Sequence, residues 1–143
     1  MLQSDFIKYT LKFKFDAGTS RGVMRERDTW FVKVWDDAEP QIVGIGECAP
    51  LPSLSIDDFS KLESTILLIA NSLSFRKEQV LLQSSSDLNA FPALRFAFET
   101  ALLDLKNGGE RKIFKNDFSL QGAKIPINGL IWMGSKTFML KQM

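Results

Sequence analysis

The sequence predicts an α+β fold, a three-stranded antiparallel meander followed by a helical bundle, and three observations predict it. Over the first 49 residues, apolar side chains alternate or gather in short β-branched and aromatic blocks between polar turns. From residue 55 to about residue 105 they recur at helical spacing. Between the two regimes lies GIGECAPLPSLS, residues 44–55, where Pro50 and Pro52 stop the last strand because neither has an N–H to give a ladder. The result is a stiff loop with Leu51 and Leu54 on it, better suited to covering something than to connecting two elements.

From Phe6 to Phe15, Ile7, Tyr9, Leu11, Phe13 and Phe15 share one face, and Lys8, Thr10, Lys12 and Lys14 the other. That is the period of a half-buried strand with a solvated lysine face. A polar, glycine-bearing break runs from Asp16 to Gly22, and the wider segment 16–28 is longer than a hairpin turn requires. It reads as a solvated loop, or more sharply as a mobile flap whose Arg21, Arg25 and Arg27 offer a guanidinium to an anionic ligand. Trp30 to Trp35 forms the second strand, residues 36–40 a turn, and Gln41 to Ala49 the third strand.

Ser55 is placed to cap a helix, with Asp57 and Asp58 in its first turn and Phe59, Leu62, Ile66, Ile69 and Leu73 on one face. A short second helix is expected over residues 77–83 and a loop over 84–87. Pro92 opens the third helix and Gly108-Gly109 ends it. Its stripe is Leu94, Ala97, Phe98, Ala101, Leu102 and Leu105, and Arg95 and Glu99 are spaced to pair. After a polar linker, residues 124–132 (KIPINGLIW) read as a fourth strand, and Gly134 and Ser135 open a helix over residues 136–143. A lone apolar strand cannot satisfy its own backbone, so a missing remainder is expected to pair with it.

Length and composition fit one soluble globular unit: 143 residues, 45% hydrophobic and 24% charged. With 18 basic against 17 acidic residues the net charge is +1, which gives no argument for nucleic acid or an anionic membrane. The longest apolar run, Ile66 to Ala70, is far short of a membrane span, and the N-terminus lacks the apolar stretch of a signal peptide. A cytoplasmic location is expected. Histidine is absent, which excludes Ser-His-Asp and Cys-His catalysis.

No nucleotide fingerprint, phosphate loop or paired-cysteine motif is present. Cys48, the only cysteine, reads as a small core residue rather than a nucleophile. Glu47 reads as a buried structural carboxylate bonded to backbone N–H groups or to Arg95, ahead of a metal ligand.

The strand-loop GIGECAPLPSLS, the helix PALRFAFETALLDL and the strand IPINGLIWMG, in that order, resemble the N-terminal part of the enolase superfamily. Within it they look most like the muconate-lactonising subgroup and its o-succinylbenzoate synthase family, whose early loop GTSRGVMRERDTWFVKV also resembles. The resemblance runs over residues 5–143. It implies a capping domain over residues 1–122 and, at residues 123–143, the start of a truncated (β/α)7β barrel that the cap covers. It also implies a Mg²⁺-dependent lyase of menaquinone biosynthesis, which removes a proton α to a carboxylate of a small-molecule substrate and ends in loss of water. The family's catalytic lysines and metal-binding acids would fall after Met143, and Lys141 does not match them. The chain alone is therefore expected to be inactive, to hold no metal ligand, and to need the barrel or a second copy as partner.

What the resemblance carries onto this chain is a substrate cover. Ser20, Arg21 and Gly22 match one specificity loop, Leu51, Pro52, Ser53 and Leu54 the second, and Asn128, Gly129 and Leu130 the substrate side of the first barrel strand. A dipeptide epimerase or N-acylamino-acid racemase of the same superfamily shares the layout. The reading from another class is a stand-alone capping domain that binds without catalysing.

Overall fold

The computed structural model describes residues 1–19, 21–73 and 86–143. Three strands, β1 (Leu2–Thr19), β2 (Gly22–Asp36) and β3 (Val43–Cys48), form one antiparallel sheet in the order β1-β2-β3, the expected meander. Five helices follow among the described residues: α1 (Leu62–Leu73), α2 (Ser86–Asn89), α3 (Pro92–Lys106), α4 (Asp117–Gln121) and α5 (Lys136–Leu140).

The segment 16–28 is not a loop. β1 and β2 pair from Leu2↔Asp36 out to Thr19↔Gly22, so the expected flap is the far half of a long two-stranded ribbon. Its polar, glycine-bearing sequence is absorbed by a bulge: pairing stops at Lys12↔Glu26 and resumes at Ala17↔Met24. At the tip Gly22 adopts φ 128°, a backbone geometry side chains disfavour, and the Thr19 hydroxyl donates to its carbonyl at 2.9 Å.

The face of β1 expected to be buried is instead the outer one. Ile7, Tyr9, Leu11 and Phe15 are exposed, whereas Leu2 and Phe6 pack on the core and Lys8 lies over the Trp30 ring. Helices α1 and α3 pack on the side of the sheet that carries Trp30, Val32, Val34 and Cys48, and that side takes the even-numbered positions of β1 up to Lys12. Alternation shows which residues share a face, but not which face meets the helices.

Two glycines on β3 set how closely the main helix approaches. A Cβ at Gly44 would lie 2.0 Å from the Ala101 carbonyl oxygen, and one at Gly46 1.8 Å from that of Ala97. Helix α3 therefore lies directly on the β3 backbone, and its Leu94, Ala97, Phe98, Ala101 and Leu102 are buried with Leu62, Ile66, Ile69 and Leu73 of α1. The expected stripes are the ones observed with two differences: Phe59 precedes α1 and is exposed, and Leu105 is only partly buried.

Helix α1 starts at Leu62, not near Ser55. The Ser55 hydroxyl accepts the Leu51 N–H at 2.9 Å and so closes the loop 51–55. Asp57 is diverted to the start of α3, where its carboxylate accepts the Ala93 N–H at 3.0 Å and the Leu94 N–H at 3.4 Å. The helix expected over 77–83 lies outside the described residues, and Ser86 and Asp87, expected in a loop, begin α2.

Residues 124–132 do not form a strand, because among the described residues no neighbouring strand offers them a ladder. The one bridge nearby joins Met133 to Gly18. Ser135 caps α5 by accepting the Phe138 N–H, as its position suggested. The linker contains a helix the sequence reading missed, α4, held by a capping box between Asn116 and Ser119.

Candidate functional site: a cleft between the ribbon tip and the proline loop

The two segments singled out in the sequence meet. The ribbon tip (Thr19, Arg21 to Met24, Glu26) and the proline loop (Leu51, Pro52, Ser53, Leu54) line one cleft of about 340 Å³. That is within the range of small-molecule sites, at its lower end.

Local physics builds each wall. On one side the terminal pairs Ala17↔Met24, Gly18↔Val23 and Thr19↔Gly22 extend the ribbon beyond the body of the sheet. Arg25, on the same strand, is held by two hydrogen bonds of 3.1 Å to the Asp16 carboxylate, so its charge is already matched and its pKa is raised by that partner. Arg21 has an exposed guanidinium beside the cleft. On the other side the Leu54 and Ser55 N–H groups both donate to the Leu51 carbonyl, at 3.1 and 2.9 Å, and make a tight turn. Ser53 sits in the left-handed region at φ 63°, a conformation that costs a non-glycine residue about 1 kcal/mol. The turn leaves Leu54 half exposed at the rim.

The cleft joins an apolar wall to one guanidinium, one carboxylate (Glu26) and the hydroxyls of Thr19 and Ser53. Such a lining offers a guanidinium able to pair with an anionic group and an apolar wall able to shield it from water. It contains no lysine to move a proton, and among the described residues no group of three Cys, Asp or Glu could hold a metal ion. The described residues do not fit Mg²⁺.

Of the expected site residues, Arg21, Gly22, Leu51, Pro52 and Leu54 share this cleft, together with Ser53. Ser20 lies outside the described residues. Asn128 and Leu130 are exposed on the extended segment and do not line the cleft. The sequence reading missed Thr19, Val23, Met24 and Glu26, which belong to the ribbon it took for a loop. Residues 23–29 (VMRERDT) carry no apolar alternation, so the hydrophobic pattern gave no signal for them.

Two other groups have structural surroundings. Glu47 is half exposed and does not meet Arg95: its carboxylate accepts from the Thr29 hydroxyl at 2.8 Å and from Arg27 at 3.5 Å. Arg95 pairs with Glu99 at 2.7 Å, as their spacing suggested. Cys48 is fully buried, and burial, helped by the nearby charges of Asp57 and Glu47, pushes its thiol up to about 12. A thiol so placed is no nucleophile.

No family model matches the chain. An o-succinylbenzoate synthase of Desulfotalea psychrophila is 36% identical over 168 aligned positions, which take in 99% of this chain and 45% of that protein. The crystal structure of MenC from the same organism superposes with a TM-score of 0.75 at 31% identity, over 99% of this chain and 44% of that one. An o-succinylbenzoate synthase from Thermosynechococcus elongatus, complexed with Mg in its active site, covers 71% of this chain and 29% of its own, with a TM-score of 0.55 at 24% identity. An enolase family member from Agrobacterium tumefaciens, with homology to dipeptide epimerases and L-Ala-L-Glu bound, covers 99% of this chain and 42% of its own; its TM-score is 0.70 at 20% identity. The last two likenesses concern the fold. The chain spans less than half the length of each of these relatives.

Proposed function

We propose, for a chain that in sequence and fold is the counterpart of the N-terminal part of an enolase-superfamily o-succinylbenzoate synthase, that its role is to form the substrate-covering cap of such a lyase. The observation that carries the reading is the convergence of Arg21 and Gly22 with Leu51, Pro52 and Leu54 on one cleft. In this reading residues 1–122 are the cap and residues 123–143 begin the barrel it covers. Arg21 pairs with a substrate carboxylate, and Leu51 and Leu54 exclude water from the reacting carbons. Asn128 and Leu130 approach the substrate only when the barrel is formed around them. Since the described residues offer no site for Mg²⁺, the metal of such a lyase would be held by residues of the barrel rather than by the cap.

The reading is tested with a chimera. Residues 1–143 replace the matched part of the Desulfotalea psychrophila enzyme, and formation of o-succinylbenzoate is followed. Activity in the chimera, reduced roughly tenfold or more by Arg21→Ala and by Leu54→Ala, is the expected result. A chimera whose activity is indifferent to both substitutions would remove the cap assignment. Turnover of L-Ala-L-Glu in place of o-succinylbenzoate formation would transfer it to the epimerase reading.

A further inference from the structure

The outer wall of the cleft is a weak element with a support behind it. Beyond the bulge at residues 13–16 the ribbon tip has three residue pairs, with no third strand alongside among the described residues. A two-stranded ribbon of that length is marginal by itself. At this point residues 132–142 reach it. Phe15, inside the bulge, meets Trp132 edge-on at 5.7 Å between ring centres and Phe138 at 6.1 Å. Gly18, on the tip itself, bridges Met133, and the approach is so close that a Cβ there would lie 2.7 Å from the Met133 carbonyl oxygen. Gln142 ties this segment together: its side chain accepts the Trp132 N–H at 2.8 Å and donates to the Trp132 and Phe138 carbonyls.

We propose that the segment 132–142 is a brace that sets the position of the ribbon tip, and hence the width of the cleft, with Phe15, Gly18 and Trp132 as positioning residues. None of the three lines the cleft. They act through the tip: the bulge is the place where the ladder is broken and can bend, and the aromatic cluster fills it. The consequence is a mechanical link between residues 132–142 and the Arg21 side of the cleft. The role rests on the cap reading only for its meaning in catalysis; the link itself is independent of any ligand.

The test is amide hydrogen exchange on the 143-residue chain, with tryptic cleavage after Arg21 as a second readout. Trp132→Ala and Gly18→Val should each speed exchange at Val23 and Met24, and cleavage after Arg21, by about tenfold, with Val32 and Val34 unchanged. Trp132→Phe, which keeps an aromatic edge against Phe15, should restore most of the protection. Unchanged exchange at the tip in both disrupting variants would overturn the brace. So would a uniform loss of protection that includes Val32 and Val34, since that is a general stability effect. Neither readout requires turnover, so a failed chimera assay would remove the cap reading and leave this result standing.

Discussion

The Asp104 carboxylate, buried on helix α3, accepts the backbone N–H of Ile45 on strand β3 at 2.9 Å. The same carboxylate accepts the Arg111 N–H at 2.7 Å and pairs with the Arg111 guanidinium, which donates a further bond to the Val43 carbonyl at 2.8 Å. One acid thus joins the helix, the turn after it and the edge strand that leads into the proline loop. Asp104→Ala should destabilise the chain by about 3 kcal/mol, since it removes at once the partner of the partly buried Ile45 N–H and both bonds that hold Arg111 to the helix. Urea unfolding followed by tryptophan fluorescence measures it. Arg111→Ala should cost a comparable amount, because it leaves the buried Asp104 carboxylate with only the Ile45 N–H and the N–H of residue 111.

Gly46 faces the helix backbone at a distance that leaves no room for a methyl group. Gly46→Ala must push α3 away from β3 along the contact that includes Ala97 and Ala101. A loss of about 2 kcal/mol or more is expected, with a lower thermal midpoint as the readout. Gly129→Ala, with nothing near its Cβ, should be neutral within about 0.5 kcal/mol.

Cys48 gives the alkaline behaviour. Its folded-state pKa is raised to about 12 from an ordinary value of 9.0, so the folded state holds the thiol proton more tightly than the unfolded chain. Stability from this group is fully present below pH 9 and is lost as the pH rises toward 12, at about 1.4 kcal/mol per pH unit. Denaturation midpoints between pH 8.5 and 11 should fall in the native sequence and flatten in Cys48→Ala after correction for its lower baseline. Ellman's reagent at pH 8 should react only as fast as the chain unfolds.

The apolar side chains of residues 125–143 are largely in water: Ile127 is 87% exposed and Leu130 72%. A surface of this kind associates unless something covers it. Sedimentation velocity on the 143-residue chain should show association that grows with concentration, and Ile127→Lys with Leu130→Lys should reduce it. A monomer at all concentrations would favour the stand-alone module.

The sequence determined the meander, its strand order and most of the apolar stripes of α1 and α3, and it singled out the segments around Arg21 and Leu54. These follow from short-range rules: period two, period 3.6, and prolines that cannot donate to a ladder. It also placed Cys48 in the core and paired Arg95 with Glu99. What the tertiary structure decided were the choices that alternation leaves degenerate. Ile7, Tyr9 and Leu11 face outward because the helices pack on the other side of β1, where Gly44 and Gly46 allow α3 to come close. Asp57 caps α3 rather than α1, and Asp104 takes the structural role expected of Glu47, because each carboxylate serves the N–H groups that folding brings to it from 36 and 59 residues away. Residues 124–132 carry the pattern of a strand but form no ladder, because a strand exists only as one member of a pair.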